Sequence, residues 1–272
     1  MLQFLIVASN TRDIDTSLGS DARPLNARSV ALSALLGTHP PSLTAHALVS
    51  LAEVFGINGG TMRTALSRLV AAGDVELDDG RYTLSERLRA RQAAQDSGRS
   101  RADTAWNGDW HTAVATVDQR DLSDRRQLRA TMANHRFGEL RPATWMRPAN
   151  LAAPDLGPDW VVVTGPSTGT APDALVARLW PLDDLADRAR DLSVRLDDAD
   201  RRLRPDDPSE IPAGFTLSAE VLRFLRSDPL LPAELTPPDW PVDPLRERYE
   251  AFEWRLQHLL APVLRAGATE RT

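Results

Sequence analysis

The residue types that could do chemistry in this chain are concentrated in the segment from position 58 to 72. It carries Arg63 and Arg68 together with the hydroxyl side chains of Thr64 and Ser67, and it contains no acidic residue. A guanidinium group binds phosphates and guanine edges through paired hydrogen bonds, and hydroxyl groups contact base edges. The segment therefore favours contact with nucleic acid over catalysis. The net charge of −6 does not oppose this, because only the local charge of a footprint matters.

Catalytic and metal-binding chemistry find little support elsewhere in the sequence. The chain has no cysteine, and all 32 of its basic residues are arginine. Thiolate chemistry, the lysine of a phosphate-binding loop and lysine Schiff bases are therefore excluded. The five histidines show none of the short spacings typical of zinc ligands. We predict no catalytic residue, no metal site and no cofactor.

The side chains of the 58–72 segment need a helix to present them, and the sequence predicts a pair of helices there. Thr44 is a capping residue that precedes an apolar pattern of helical spacing, and Gly56 can take the left-handed conformation that ends a helix. Asn58 then caps a second helix, which Gly73 closes. Two helices joined by a short turn that contains glycine outline a helix-turn-helix.

The second helix has an apolar face and a small polar face when successive residues are rotated by about 100°. The residues predicted to face inward are Met62, Ala65, Leu66, Leu69 and Val70. The residues on the opposite arc are Gly60, Thr64, Ser67 and Ala71. Arg63 and Arg68 stand on the two flanks of this arc, with Thr61 beside Arg68. A ridge of small residues flanked by arginines fits the major groove of DNA.

A short hairpin is predicted directly after the second helix. Residues 74–77 and 81–84 are the predicted strands, and the turn Asp78-Asp79-Gly80 joins them. A hairpin in this place is a wing, and the segment Ser42-Leu43 is predicted to pair with it. The predicted DNA-contacting residues are therefore Thr61, Arg63, Thr64, Ser67, Arg68 and, on the return strand of the wing, Arg81.

The whole chain is predicted to be an α+β protein with several domains. These are an N-terminal extension at 1–25, a winged-helix domain at 26–100, a middle domain at 101–180 and a C-terminal helical domain at 181–272. The middle domain is predicted to have strands at 111–117, 139–147 and 160–164 and helices at 123–135 and 172–179. Further helices are predicted at 85–96, 183–204, 217–226 and 244–264, and one between Asn26 and Gly37. The middle domain suggests a small ferredoxin-like unit.

Several segments resemble the PaaX-type transcriptional repressors, a family named for control of phenylacetic acid degradation. The recognition helix shares Arg63-Thr64-Ala65-Leu66-Ser67-Arg68-Leu69, preceded by Phe55-Gly56-Ile57-Asn58. The middle domain shares Trp106-Asn107-Gly108-Asp109-Trp110 and Trp145-Met146-Arg147-Pro148, and the C-terminal domain shares the proline-rich run 228–241. Gly59-Gly60 departs from the family, which more often has charged or bulkier residues there.

The resemblance implies a winged-helix repressor whose middle domain is similar in fold to the small nucleases of CRISPR adaptation. It also implies a small-molecule effector of the acyl-coenzyme A class, since phenylacetyl-CoA is the ligand of the founding members. Two recognition helices related by a two-fold axis would read a partly palindromic operator in double-stranded DNA, so we expect a homodimer.

Two other functions remain open at this point. Asp118 ends the first strand of the ferredoxin-like unit, where the nucleases similar in fold carry a metal-binding aspartate, so a metal-dependent nuclease is one alternative. The other alternative is a winged helix that binds a protein instead of DNA. The apolar opening at 1–9 is too short to cross a bilayer and has no basic leader. We therefore expect a cytoplasmic protein without a membrane partner.

Overall fold

The computed structural model describes residues 26–36, 38, 40–86, 88–89, 105–116 and 122–266. Its N-terminal part contains the helices α1 (Ala27–Leu36), α2 (Ala45–Val54) and α3 (Gly59–Ala71) and the strands β1 (Ser42–Thr44), β2 (Val75–Asp78) and β3 (Arg81–Leu84). The strands form an antiparallel sheet in the order β1-β3-β2. This is a winged helix-turn-helix, as predicted. The pairing of Leu43 with Tyr82 confirms the strand expected at Ser42-Leu43.

The caps read from the sequence begin and end these helices. Asn58 Oδ1 accepts a backbone N–H of the first turn of α3 at 2.7 Å. Thr44 Oγ1 does the same for α2 at 3.2 Å, and Asn26 Oδ1 for α1 at 2.9 Å. Gly56 and Gly73 take the left-handed conformation, with φ of 66° and 67°. The two helices of the helix-turn-helix therefore lie where their capping residues predict them.

The middle part of the chain is a sheet with a helix on each face. Its elements are β4 (Asp109–Ala115), α4 (Leu122–Asn134), β5 (Gly138–Arg141), β6 (Thr144–Pro148), β7 (Trp160–Pro166) and α5 (Pro172–Leu179). Neighbouring strands are antiparallel, in the order β5-β6-β4-β7, which is the strand order of a ferredoxin-like sheet. Met132 of α4 packs against Trp145 on one face, and Leu175 of α5 packs against Trp110 and Met146 on the other.

The connections of this sheet differ from the prediction. The single strand predicted at 139–147 is the β5-β6 hairpin, and Ala143 in its turn has a φ of 63°. A βαββαβ unit has its second helix between its third and fourth strands. Here residues 149–159 cross from β6 to β7 without a helix, and α5 follows β7 instead. The strand predicted to reach Val117 ends at Ala115, and residue 117 lies outside the described residues.

The C-terminal part consists of the helices α6 (Leu182–Arg202), α7 (Ile211–Ser227) and α8 (Val242–Ala266). The predicted helix at 217–226 starts too late. A single 3-10 turn leads directly into α7, and Pro212 fits in the first turn of the helix because its missing N–H has no partner there. The last helix extends slightly beyond its predicted bounds at both ends and contains Pro262.

The winged helix and the C-terminal helices share one hydrophobic core. α2 packs against α8. Phe55, which follows α2, meets Phe215 of α7 edge to face, with ring centroids 5.2 Å apart. Phe215 is only 1% exposed. The turn of the helix-turn-helix is therefore held in place by the C-terminal helices.

Some predictions fall on residues that the structure does not describe. The extension predicted at 1–25 is one of them, and most of the helix predicted at 85–96 is another. Of that helix the first turn is seen, because the N–H groups of Leu88 and Arg89 both donate to the Ser85 carbonyl at 3.1 Å. Within the described parts of the chain, no helix combines the length and the apolarity that a membrane crossing requires.

Candidate nucleic-acid interface

α3 carries the predicted DNA-contacting residues on one exposed side. Met62, Leu66 and Leu69 are fully buried, and the helix packs on α1 and α2. The exposed residues of α3 are Gly60, Thr61, Arg63, Thr64, Ser67, Arg68 and Ala71. The structure thus brings together every predicted site residue except Arg81, which lies on β3.

Two of the three hydroxyl groups of this surface, those of Thr64 and Ser67, make hydrogen bonds to their own helix. Thr64 Oγ1–H donates to the Gly60 carbonyl at 3.0 Å, and Ser67 Oγ–H donates to the Arg63 carbonyl at 3.2 Å. Each bond uses the hydroxyl proton and leaves lone pairs on the oxygen. These two hydroxyls can therefore accept from the amino groups of adenine or cytosine, whereas donation to bases is left to Thr61 and the arginines.

Arg63 and Arg68 are the cationic groups of the surface. Both are exposed, and within the described part of the chain neither has an ion-pair partner. No acidic residue lies on α3. A guanidinium that has no protein partner keeps its donors for phosphates or guanine edges. The electrostatic character of this helix is thus suited to a polyanion.

The two glycines at the start of α3 serve different purposes. A Cβ atom on Gly59 would lie 3.0 Å from Val49 Cγ1, so glycine lets α2 and α3 approach closely. A Cβ atom on Gly60 would lie 3.1 Å from Asn58 Oδ1, the oxygen that caps the helix. Because Gly60 is exposed, its backbone is open to a ligand. The sequence showed the departure from the family at these positions but not its packing reason.

The wing has a charge pattern that opposes the predicted contact between Arg81 and DNA. Arg81 Nε donates to Ser42 Oγ and Arg81 Nη2 donates to the Ser42 carbonyl, both at 2.9 Å. Glu76, Asp78 and Asp79 are exposed on the same hairpin. Arg81 therefore uses two of its donors to hold β1, and the carboxylates around it repel phosphates. A contact between Arg81 and DNA stays a prediction.

The base of the wing is tied to α1 by an ion pair. Arg28 Nη2 lies 2.5 Å from Asp74 Oδ2, and Asp74 is only 6% exposed. The Asp74 carbonyl also accepts the Ser85 N–H at 3.0 Å. Both ends of the hairpin are therefore fixed, and the wing has a defined orientation relative to α3.

Hydrogen bonds from Arg136 connect the middle sheet to α7. Arg136, which is 7% exposed, donates through Nη1 to the carbonyls of Leu225 at 3.0 Å and Asp228 at 2.9 Å, and to that of Arg226. Carbonyls at the C-terminal end of a helix lack partners within the helix and favour a cation. Arg136 thus caps α7 from the middle part of the chain. Its partners follow it by 89 to 92 positions, so no local pattern in the sequence could indicate this role.

Asp228 lies beside this cap in a buried position. Its side chain is held by Arg246, with Nη2 2.7 Å from Asp228 Oδ2. Burial raises the pKa of Asp228, against the lowering effects of the Arg246 and Arg136 charges. The ion pair with Arg246 offsets the free-energy cost of burying the Asp228 carboxylate, which would be large without a partner.

The nuclease alternative gains no support from the described geometry. Asp118, its proposed metal ligand, lies outside the described residues. Where the structure does describe the chain, no group of three or more His, Asp or Glu side chains could hold a metal ion.

A winged helix with an arginine-bearing recognition helix, joined to a ferredoxin-like sheet and a helical bundle, defines a DNA-binding regulator. Family profiles described as PaaX-like protein, PaaX protein central Cas2-like domain and PaaX-like protein C-terminal domain match residues 26–88, 103–154 and 180–266. The chain therefore belongs to the PaaX-like family, whose members are transcriptional regulators that bind DNA. The resemblance read from the sequence is confirmed.

A solved structure has a similar fold. The uncharacterized protein Rv0674 from Mycobacterium tuberculosis is 37% identical in sequence and superposes with a TM-score of 0.72. The alignment covers 88% of this chain and 98% of that chain. No curated protein matches the sequence. The name of this relative states no activity.

Proposed function

We propose that the chain is a sequence-specific repressor of transcription that a small-molecule effector releases from its operator. The observation that carries the proposal is the exposed side of α3, where Arg63 and Arg68 lack protein partners within the described residues and no acid is present. α3 would enter the major groove with Thr61, Thr64 and Ser67 near base edges and the arginines at bases or phosphates. Because the proposed partner is genomic DNA, the proposal includes a cytoplasmic location.

The proposed unit on DNA is a homodimer, since two recognition helices related by a two-fold axis read a partly palindromic operator. β7 lies at the end of the sheet order, and its Val161 and Val163 are 49% and 57% exposed. Val114, the register partner of Val161, is 36% exposed. A strand at the end of a sheet beside exposed valines favours association with a second copy of the chain.

α7 contacts both the middle part of the chain, where we propose that an effector binds, and the DNA-binding helices. Phe215 in α7 contacts Phe55 at the turn of the helix-turn-helix, and Arg136 of the middle part caps the other end of α7. A ligand that shifts the middle sheet would therefore move α7 and, through it, the turn before α3. Operator binding depends on the spacing of the two recognition helices, so a small shift of each copy changes affinity.

An acyl-coenzyme A thioester is the effector class that we propose, following the family resemblance. Its phosphates would need guanidinium partners, and its acyl group would need an apolar slot. The chain offers only arginines as basic residues, and all seven of its tryptophans lie at position 106 or later. Tryptophan fluorescence would therefore report binding in the middle or C-terminal part and not in the winged helix.

Replacing Arg63 or Arg68 by alanine is expected to weaken specific DNA binding by about 1–3 kcal/mol each, because a bidentate contact to a base would be lost. Operator fragments would first be selected from genomic DNA and sequenced. Affinities of the variants would then be measured by fluorescence anisotropy over a series of salt concentrations. Where the lost contact is to a phosphate, the loss should be similar for all sequences and the salt slope should fall by about 1.

Arg190→Ala is the matched control for these variants. Arg190 is an exposed arginine of α6 that pairs with Asp187 at 2.7 Å, so its loss should leave DNA affinity unchanged. Equal affinities for the wild type and both α3 variants would refute the assignment of this face. Salt-insensitive binding of a protein, without any affinity for DNA, would favour the alternative winged helix that binds protein.

Replacing Val161 by lysine is expected to raise the dissociation constant of the homodimer at least about tenfold, because a charge would have to be desolvated in the contact. Sedimentation equilibrium of the full chain would measure the change. Val194→Lys is the control, since Val194 is a 62% exposed valine of α6 outside the proposed contact. A dimer of equal strength in both variants would show that the copies meet elsewhere.

A further inference from the structure

The strand β2 lies at one end of the winged-helix sheet, and within the described residues no further strand pairs with it. The loop that joins it to β3 is Asp79-Gly80, with φ of 42° and 70°, as in two-residue hairpins with a type I′ turn. In such a hairpin the residues beside the loop, here Asp78 and Arg81, exchange backbone hydrogen bonds, and bonded and non-bonded pairs then alternate. The N–H and C=O groups of Leu77 therefore point outward from the edge of the sheet.

The side chain of Leu77 is exposed as well. It is 51% exposed, whereas Val75, two positions earlier on the same face of the strand, is buried in the core. Tyr82, its register partner on β3, is half-buried. The apolar face of the hairpin thus continues beyond the core and ends at a leucine in solvent. An extended peptide adds as a further strand to an edge that offers free backbone groups and an apolar side chain.

Carboxylates flank Leu77 on both sides along the chain. Glu76 and Asp78 project from the opposite face of β2, and Asp79 follows in the turn. All three are exposed, and in the part of the chain that the structure describes none of them forms an ion pair. The one arginine of the hairpin, Arg81, uses two of its donors on β1. These carboxylates disfavour a phosphate backbone, and they equally disfavour a second copy of this strand.

We propose that the edge of β2 binds an extended basic segment of another protein, in which lysine or arginine alternates with apolar residues. An antiparallel strand places the residue opposite Leu77 on the same face, where an apolar side chain covers the leucine. The next residues on either side then lie opposite Glu76 and Asp78, where basic side chains form charge-assisted pairs. Charge complementarity therefore selects this occupant over DNA and over a second wing.

The two exposed parts of the winged helix thus have different partners, which goes beyond the proposed binding of DNA. The exposed side of α3 carries arginines and no acid, whereas the wing carries three exposed carboxylates. The Arg28–Asp74 ion pair fixes the base of the hairpin, so a bound segment has a defined position beside the DNA that α3 contacts. The predicted contact of Arg81 with DNA is the competing use of the wing. Binding of the basic segment itself does not depend on DNA.

The test is binding of a labelled peptide to the full chain in the absence of DNA. The probe is a fluorescein-labelled peptide of about six residues in which lysine and valine alternate, and fluorescence anisotropy measures its affinity. In an antiparallel strand a valine N–H donates to the Leu77 carbonyl, whereas the lysine N–H groups point away. N-methylation of the valines should therefore weaken binding at least about tenfold, and N-methylation of the lysines should not. A peptide of alternating glutamate and valine should not bind.

Charge-swap variants assign the binding to the edge of β2. Glu76→Lys/Asp78→Lys should weaken binding of the lysine–valine peptide at least about tenfold and should bind the glutamate–valine peptide instead. Leu77→Ser should weaken binding of the lysine–valine peptide, because the contact with a valine is lost. Glu247→Lys/Glu250→Lys is the control, since it changes the net charge equally at two exposed carboxylates of α8. All of these positions are exposed, so the variants should fold.

Absence of binding by the wild type would overturn the proposal, and so would binding that N-methylated valines or Glu76→Lys/Asp78→Lys leave unchanged. Operator affinity is measured separately on Leu77→Ser, which alters no charge. A loss of operator affinity in this variant would show that the wing contacts DNA and would overturn the assignment of the wing to a protein partner. Failure of the proposed function is a different result, namely a wild-type protein that binds the peptide but no operator.

Discussion

Replacing Arg246 by methionine is expected to lower the free energy of unfolding by about 3–5 kcal/mol, because the Asp228 carboxylate would stay buried without its partner. Asp228 is 3% exposed, and its Oδ2 lies 2.7 Å from Arg246 Nη2. Methionine retains much of the apolar stem of arginine, so the loss of the charge dominates. Urea unfolding followed by tryptophan fluorescence would measure the change.

The loss should become smaller as the pH falls. Burial already raises the pKa of Asp228, and removal of Arg246 would raise it further. A group whose pKa is higher in the folded than in the unfolded protein stabilises the fold below the unfolded pKa, and this stability is lost as the pH rises through the folded pKa. The variant should therefore be weakest at neutral pH and recover in mild acid.

The double variant Asp228→Asn/Arg246→Met tests the cause of this loss. It removes both charges, so it should recover much of the stability that Arg246→Met loses. If Arg246→Met alone unfolds at the same urea concentration as the wild type, the pair does not stabilise the fold.

Replacing Phe215 by alanine is expected to destabilise the chain by about 3–5 kcal/mol, since a fully buried phenylalanine would leave a cavity. Phe215 also meets Phe55 edge to face at 5.2 Å between ring centroids. Because Phe55 forms the turn before α3, the variant should in addition weaken operator binding at temperatures where it remains folded. Thermal unfolding and anisotropy on the same preparation would separate the two effects.

Phe224→Ala is the matched control for this second effect. Phe224 lies in the same helix and is 8% exposed, but it has no stacking contact with Phe55. Its replacement should lower stability by a comparable amount and leave the affinity of the folded protein for DNA unchanged. Equal losses of affinity in both variants would show that the Phe55 contact has no special part in positioning α3.

The helix-turn-helix could be predicted because its boundaries are set by local interactions. Thr44 and Asn58 cap their helices with their own side chains, and Gly56 and Gly73 end them with positive φ. The inward arc of α3 likewise follows from helical spacing alone. Such features depend on residues within one turn of each other, and a single sequence contains them completely.

The errors in the fold lie where distant contacts override local patterns. Ala143 takes a φ of 63° in the β5-β6 turn, a conformation that its residue type does not signal. The start of α7 is obscured by Gly214, which normally weakens a helix. A Cβ there would lie 3.3 Å from Phe252 Cζ of α8, so packing against another helix explains the glycine.

The candidate site, like the fold, could be predicted only where it depends on residues close together in the sequence. The exposed side of α3 follows from the helical periodicity of its residues. The hydrogen bonds of Arg81, in contrast, depend on Ser42, which lies 39 positions before it in the sequence. The contacts of His111 with Thr164 and with the Leu151 carbonyl were missed as well, because these three residues come from β4, β7 and the connection after β6. A histidine and an arginine on adjacent strands become neighbours only when the register of the sheet is known.

The winged helix does not have a hydrophobic core of its own, because helices from the C-terminal part of the chain cover its buried face. Leu48 of α2 and Leu256 of α8 belong to one core, although the entire middle sheet lies between them in sequence. Recombination that exchanged only the winged helix between two relatives would join core faces whose side chains did not pack together before, and the resulting cavities and clashes would destabilise both products. If α3 reads the operator as proposed, its specificity would therefore change by point substitutions on its outward side and not by exchange of the whole winged helix.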